Sequence, residues 1–236
     1  MGFPRDFLAP IPPAPAENWD RVPPPAENGD PLVDPTIFSP RITYGAAYLC
    51  QGLPGALGQC LVRRGLALRL AQAAEKLPEG WSLLIFDGLR TMRLQQALYD
   101  QFREVVIRER LQASPAEIEM VLDTFVAKPV KRRNRPAPHT TGGAVDLTLS
   151  KNGTALDMGT GFDDLTAMAH TDWLERSCPP GQEDCRDARR ILYNLMTSVG
   201  LVNYPCEWWH YAYGERQWAV RTGKSPFYGY CKECDE

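Results

Sequence analysis

The sequence lacks the features that most readily mark membrane proteins and nucleic-acid-binding proteins. It has no apolar run of the roughly 18 to 20 residues that span a bilayer, and residues 1–20 contain no apolar segment of signal-peptide length. Its formal net charge of −3 gives no electrostatic reason to bind nucleic acid or an anionic membrane. We therefore expect a soluble protein without a membrane span, cytoplasmic as given, or periplasmic if an upstream leader has been removed.

Basic residues are concentrated in one place, KPVKRRNR at residues 128–135. The run is short and has no interleaved aromatic residues, so we interpret it as a solvated loop and expect no nucleic-acid partner. The sequence carries no signal for an oligomeric state.

Cysteine is present in an odd number, seven, so the thiols cannot all pair within the chain. Cys178 and Cys185 flank a short loop that a disulfide could close. Cys231 and Cys234 form one Cys-x2-Cys, which is half of a structural zinc site without a second pair at a suitable spacing. The redox compartment is therefore left open by the sequence.

The chain divides by composition near residue 40. Residues 1–40 hold eleven of the 21 prolines and show almost no periodicity, which predicts an extended arm laid over the surface. Residues 41–236 have ordinary globular composition and are predicted to form one catalytic domain.

Hydrophobic periodicity and turn signals predict both helices and strands in that domain. Helices are predicted at residues 60–77, 93–111, about 115–126 and 187–200, and strands at 81–87, 144–150 and through 207–210. The strand at 144–150 alternates as a half-buried strand does, and residues 151–153 form a hairpin turn signal. The predicted fold class is a single α+β domain with a mainly antiparallel sheet and packed helices.

Histidine is scarce, so few sets of histidine ligands for a metal ion are possible. Of the three histidines, His139 precedes Asp146 by seven residues, and Gly142 and Gly143 let the chain turn between them. Both side chains can then converge on one point, where His210 would complete a set of two histidines and one carboxylate. That set leaves a fourth position for water, as catalytic zinc sites do.

The stretch EWWHY adds a carboxylate three residues before the last histidine. In a regular strand Glu207 and His210 would face opposite sides, yet a shared role requires both at one metal. We therefore predict a bulge or tight turn between them, with Trp208 or Trp209 walling the pocket and Glu207 beside the metal-bound water.

Four motifs now support a specific resemblance. HTTGGAVD matches His-x-x-Gly-x-Ala-x-Asp, EWWH matches Glu-x-x-His, and FDGLR (86–90) and DMGTGFDD (157–164) agree in order and spacing. Together they resemble the VanX-like D-alanyl-D-alanine dipeptidases, from about residue 80 to residue 215. The resemblance implies a zinc-dependent enzyme that hydrolyses D-alanyl-D-alanine or a close D,D-dipeptide, with one zinc per chain.

The resemblance also implies a role for each site residue. The zinc ligands would be His139, Asp146 and His210. Glu207 would be the general base, and Arg90 would stabilise the oxyanion of the tetrahedral intermediate. Asp163 would pair with the free amino group of a small dipeptide substrate. His170 is expected to be structural.

The chain departs from the family pattern at two positions. Ala137 stands where serine is usual two residues before the first histidine, which puts one substrate hydrogen bond in doubt. Thr91 follows the arginine where proline is common, and this change should matter little. Two alternatives stay open: a D,D-carboxypeptidase that trims peptidoglycan stem peptides, and a zinc-stabilised binding module without catalysis. Retention of both Glu207 and Arg90 argues against the binding module, since neither is needed to hold zinc.

Overall fold

The computed structural model describes residues 3–109, 113–131, 133–164 and 166–235. Within these ranges the strands are β1 Leu32–Val33, β2 Ile42–Tyr44, β3 Val62–Arg63, β4 Trp81–Asp87, β5 Ala144–Lys151, β6 Thr154–Ala155, β7 Val202–Asn203 and β8 His210–Ala212. The α-helices are α1 Ala47–Cys50, α2 Arg64–Glu75, α3 Met92–Glu109, α4 Pro115–Phe125, α5 Trp173–Arg176, α6 Glu183–Thr197 and α7 Arg216–Thr222. None of the helices in these ranges is both long and apolar enough to cross a bilayer.

The main sheet has the strand order β2-β4-β5-β8-β7, with β6 paired to the end of β5. Only β2 and β4 run parallel among the pairings in the described ranges. The predicted α+β fold with a mainly antiparallel sheet is therefore confirmed. β1 and β3 form a separate antiparallel pair.

Strand β5 lies in the middle of the sheet and is buried on both faces, which corrects the prediction of a half-buried strand. Val145, Leu147 and Leu149 point into the main core together with residues of α2 and α6. The alternate residues, including Asp146 and Thr148, are also buried. The alternation therefore separates an apolar core face from a polar face that the rest of the domain covers.

The predicted ends of three other elements differ from the structure. The helix expected at 60–77 begins at Arg64, because Val62 and Arg63 are taken up by β3. The helix expected at 187–200 begins four residues earlier, where Glu183 and Asp184 place negative charge in its first turn. The strand expected through 207–210 starts only at His210. The predicted end of the 93–111 helix lies outside the described residues.

Several local predictions agree with the structure. The strand at 81–87 is observed with the predicted bounds. Ser114 and Glu117 form a capping box, with Pro115 in the first turn of α4. Asn152 and Gly153 both have positive φ, +51° and +81°, and join β5 to β6.

The proline-rich segment runs over the surface of the domain. Phe3 packs edge-on against Trp81 with ring centroids 4.7 Å apart, and the Asn194 side-chain amide donates to the carbonyls of Phe7 and Ala9. Strand β1 pairs with β3 at the other end of this segment. The division of the chain at residue 40 stays a prediction.

Candidate metal centre

Three potential ligands meet where β5, β8 and the loop before β5 come together. His139 lies in a 3-10 helix, Pro138–Thr141, that ends at Gly142 with φ +67°. The chain therefore turns between His139 and Asp146, as predicted from the two glycines. Asp146 and His210 are direct cross-strand partners. One ligand atom from each of the three residues lies within 4.8 Å of the others, and all three residues are buried.

Hydrogen bonds on the far side of each imidazole determine which nitrogen faces this point. His139 Nδ1 lies 2.7 Å from the Gly88 carbonyl, which accepts only, so Nδ1 carries the proton and Nε2 points inward. His210 Nε2 lies 3.1 Å from Gln217 Oε1, so His210 presents Nδ1. The two inward nitrogens are 3.1 Å apart, and His210 Nδ1 is 3.0 Å from Asp146 Oδ1.

This donor set fits a zinc ion. Two unprotonated imidazole nitrogens that face each other at this separation repel unless a cation lies between them. Ligands about 2.0 to 2.1 Å from a tetrahedral zinc lie about 3.3 Å from one another, close to the separations of these atoms. His139, Asp146 and His210 are brought together as the sequence predicted.

Asp146 is held in its charged form. Burial raises the pKa of Asp146, but the charges and hydrogen bonds of His139 and His210 lower it by more. The pKa is therefore held well below the ordinary range of an aspartate. Burial lowers the pKa of His210, and Asp146, Glu207 and Glu215 together more than offset that effect. The cluster therefore offers one ionised carboxylate and two imidazoles, a donor set suited to a divalent cation.

A tight turn separates Glu207 from His210, as predicted. The His210 amide donates to the Glu207 carbonyl, and the Glu207 amide donates to the Tyr204 carbonyl. Asn203 holds the turn from inside by donating to the carbonyls of Glu207 and His210, both at 3.0 Å. The Glu207 carboxylate then lies 3.8 Å from His210 Nδ1, beside the cluster but farther from it than the three ligands are from one another.

Burial raises the pKa of Glu207, although the nearby His210 partly lowers it. A carboxylate with a raised pKa binds a proton more readily, which is what a general base requires. Of the two tryptophans, Trp209 lines the cavity, whereas the Trp208 indole donates to the Thr160 hydroxyl at 2.8 Å.

Arg90 is fixed by two carboxylates and a phenol. Its guanidinium donates to Asp87 at 2.7 Å and to Asp146 at 3.0 Å, and to the Tyr48 hydroxyl at 3.3 Å. Asp87 and Asp146 are themselves cross-strand partners in β4 and β5, so the sheet register sets the position of both acceptors. Burial lowers the pKa of Arg90, but Tyr48, Asp87 and Asp146 raise it, so the guanidinium stays cationic.

Asp163 lies in the loop before α5 with φ +59°, a left-handed conformation that aspartate adopts more easily than most residues. Its Oδ1 accepts from the Tyr48 hydroxyl at 3.2 Å, and burial raises the pKa of Asp163 to about 7. The preceding Phe162 stacks on Phe86 with ring centroids 4.6 Å apart. Asp163 is thus a partly buried carboxylate without a cationic hydrogen-bond partner in the described part of the chain.

One cavity of about 730 Å³ connects these groups. Five of the six residues singled out in the sequence line it: Arg90, His139, Asp163, Glu207 and His210. The sixth, Asp146, is buried and does not line the cavity. Ala137 also lines it, where the family pattern has serine. The cavity is where a substrate can reach the cluster, Glu207, Arg90 and Asp163 together.

Sequence reasoning missed four residues that hold this site. Tyr48 links Arg90 to Asp163, and Asp87 anchors Arg90. Gln217 accepts from His210, and the buried Glu215 carboxylate accepts from the amides of Gln217 and Trp218 at 2.8 Å. A signal was available only for Asp87, which stands three residues before Arg90 in FDGLR.

The other candidates lie apart from this site. His170 is not among the residues lining the cavity, and its carbonyl accepts from Arg189, which agrees with a structural role. All seven cysteines are free thiols, so the loop between Cys178 and Cys185 is not closed by a disulfide. Cys231 and Cys234 instead donate to the carbonyls of Thr141 and Thr140.

The chain is similar in sequence to several known proteins. The sequence profile of the peptidase family described as D-ala-D-ala dipeptidase matches residues 55–226. A D-alanyl-D-alanine dipeptidase of Synechocystis sp. strain PCC 6803 is 32% identical over 67% of this chain and 71% of its own length. The D-alanyl-D-alanine dipeptidase of Escherichia coli K12 is 28% identical over 76% of this chain and 83% of its own length.

A further relative and one solved structure are also similar. A D-alanyl-D-alanine dipeptidase of Streptomyces coelicolor is 29% identical over 64% of this chain and 72% of its own length. The solved structure is a vancomycin resistance D,D-pentapeptidase, VanY, in complex with Zn(II). It is 17% identical, covers 71% of this chain and 83% of its own chain, and superposes with a TM-score of 0.44.

Proposed function

The chain belongs to the D-Ala-D-Ala dipeptidase family, and from this premise we propose that it is a zinc metallopeptidase that hydrolyses D-alanyl-D-alanine, or a close D,D-dipeptide, to free amino acids. The observation that carries the proposal is the convergence of His139, Asp146 and His210 beside Glu207, in the cavity that Arg90 and Asp163 also line.

His139 Nε2, His210 Nδ1 and the Asp146 carboxylate would hold one zinc ion. Zinc, when bound, lowers the pKa of a coordinated water to about 7 and polarises the scissile carbonyl. Glu207 supplies the proton transfer: its partly buried carboxylate takes a proton from the attacking water and delivers it to the leaving amine. Its position in the turn beside His210, outside the ligand set, supports this role.

Arg90 stabilises the negative charge that develops on the carbonyl oxygen. The guanidinium is permanently cationic, and its contacts with Asp87, Asp146 and Tyr48 hold it in place before the substrate arrives. A cation that is already positioned costs little reorganisation when charge develops in the transition state. Asp87 and Tyr48 act through Arg90 as positioning residues.

Asp163 selects substrates that carry a free amino group close to the scissile bond. A carboxylate that is partly desolvated and has no cationic partner gains from pairing with a cation, and the ammonium group of a dipeptide can supply that partner. Longer peptides place their ammonium group elsewhere and have an amide nitrogen at this position. Asp163 therefore favours dipeptides over the stem peptides that a D,D-carboxypeptidase would cleave.

The test is ninhydrin detection of alanine released from D-Ala-D-Ala, with and without a chelator, followed by addition of zinc. We expect hydrolysis that the chelator abolishes and zinc restores. N-acetyl-D-Ala-D-Ala should be a poor substrate, because acetylation removes the charge that Asp163 binds. The alanine variant of His210 should lose zinc and activity, whereas the same change at His170 is the matched control and should retain both. Cleavage of a stem pentapeptide in preference to the dipeptide would contradict the proposal.

A further inference from the structure

The cavity is larger than the proposed substrate requires. Its volume of about 730 Å³ falls in the range of roughly 300 to 1,000 Å³ that accommodates drug-sized ligands. D-Ala-D-Ala has two methyl side chains and occupies only a part of such a space. The remaining volume lies next to the catalytic groups and is continuous with them.

The additional wall is mainly apolar and comes from α3, α4 and the residue that follows α4. Its apolar members are Leu98, Phe102, Val105, Val106, Val121 and Val126. Gln95, Gln101 and Asp123 also line the cavity here; Gln95 donates to the Ala127 carbonyl and Asp123 pairs with Lys128. The first four apolar members recur at helical spacing on one face of α3, which turns that face towards the cavity. We name this wall the apolar annexe.

The annexe begins at the end of the site where the substrate amino group is expected. Tyr48, whose hydroxyl donates to Asp163, forms a buried cluster with Leu94 and Leu98. Val126 packs against this cluster and also against the second cluster, which contains Phe102 and Val106. The apolar surface is therefore continuous from the partner of Asp163 to the middle of α3.

The charges that line the cavity favour an apolar occupant of the annexe, because Asp123, the carboxylate on α4, is already paired with Lys128 at 3.3 Å. Among the described residues that line the cavity, Arg90 is the only lysine or arginine, and Arg90 is already bound to Asp87 and Asp146. An acidic side chain would find no free cation along the annexe, and burying a polar group without a partner is costly. An apolar side chain would remove water from the partly exposed faces of Val105, Val121 and Val126.

From this geometry we infer that the enzyme prefers D,D-dipeptides whose first residue, the one that carries the ammonium group, has a bulky apolar side chain. D-Leu-D-Ala represents this substrate class. The inference rests on the proposed function, because Asp163 must hold the ammonium group for the first side chain to enter the annexe.

The expected effect follows from the apolar groups buried. A single additional methylene in an apolar pocket can change specificity by tenfold or more. We expect kcat/KM for D-Leu-D-Ala to exceed that for D-Ala-D-Ala by about tenfold. Most of the gain should appear as a lower KM, because side-chain burial stabilises the ground state and the transition state alike.

The experiment compares D-Ala-D-Ala, D-Leu-D-Ala and D-Ala-D-Leu with the zinc-loaded full chain. Val105→Phe and Val121→Phe place a larger side chain in the annexe from two different helices. In both variants the ratio of kcat/KM for D-Leu-D-Ala over D-Ala-D-Ala should fall towards one. Val130→Phe is the matched control: Val130 is exposed and does not line the cavity, so this variant should retain the parent ratio.

The outcomes separate this inference from the proposed function. A kcat/KM for D-Leu-D-Ala that is equal to or below that for D-Ala-D-Ala, or a preference for D-Leu-D-Ala that the two variants retain, overturns the annexe and leaves the proposed function in place. A preference for D-Ala-D-Leu over D-Leu-D-Ala also overturns it, because the annexe would then serve the second residue. Failure to hydrolyse any of the three dipeptides overturns the proposed function itself. A parent preference for D-Leu-D-Ala that both variants lose supports the inference.

Discussion

The amide side chain of Gln217 offers a sharp test of how the metal centre is held. Gln217 Oε1 accepts from His210 Nε2 at 3.1 Å, and this contact presents the unprotonated Nδ1 of His210 to the metal. Replacing Gln217 by leucine introduces an apolar side chain of similar size and removes the acceptor. His210 can then rotate or place its proton on Nδ1, and either change weakens zinc binding.

The magnitude follows from two opposing effects. Loss of a partner that orients a metal-binding histidine typically costs 10-fold to 100-fold in metal affinity, which corresponds to about 1.4 to 2.7 kcal/mol. In the metal-free protein the substitution changes the free energy of unfolding by less than this. The substitution leaves a buried N–H of His210 without an acceptor, which costs about 1 to 3 kcal/mol, but it also removes Gln217 Nε2, a buried donor without a partner in the described structure.

The assay is competition for zinc with a chromophoric chelator, together with urea unfolding of the metal-free protein. Gln217→Leu should lose 10-fold to 100-fold in zinc affinity with an unfolding free energy within about 1 kcal/mol of the parent. Gln217→Glu retains an acceptor and should restore most of the affinity. Gln96→Leu, at an exposed position, is the control. Zinc binding by Gln217→Leu within twofold of the parent would refute the reasoning.

Three further predictions concern other parts of the molecule. Glu207→Gln should keep zinc but lose about 10²- to 10⁴-fold in kcat, measured on D-Ala-D-Ala; near-parental turnover would exclude Glu207 as the base. Because burial raises the pKa of Asp163 to about 7, the fraction of charged Asp163 falls as the pH drops below that value. The value of kcat/KM should fall with the charged fraction, and a pH profile of Asp163→Asn should lack this fall. A bound metal cation and the substrate ammonium group lower the pKa of Asp163, so the fall occurs at or below pH 7. Ser114→Ala removes the capping box of α4 and should lower the unfolding free energy by about 0.5 to 2 kcal/mol in urea denaturation, without changing zinc content.

Local features were predicted well because their hydrogen bonds join residues that are close in sequence. The capping box joins Ser114 to Glu117, and the turn before His210 joins its amide to the Glu207 carbonyl. The ligand set was also accessible, since Gly142 and Gly143 indicated a turn that lets His139 and Asp146 face one point. The resemblance to a family added Arg90 and Asp163, which local spacing alone does not single out.

The remaining parts of the site depend on contacts between residues that are distant in sequence. Tyr48 reaches Asp163 across 115 positions, and the Gly88 carbonyl sets the tautomer of His139 across 51. No periodicity or motif connects such pairs. They meet because β4, β5 and β8 are neighbours in one sheet, and strand pairing is a property of the whole domain.

The sequence by itself therefore determined the chemistry of the metal centre and the turns that orient its ligands. The tertiary structure decided the shell around it: the burial of β5 on both faces, the contact of Gln217 with His210, and the apolar annexe formed by α3 and α4. The physical reason is that local backbone geometry follows from neighbouring residues. Burial, desolvation and the shape of a cavity arise only when distant elements pack together.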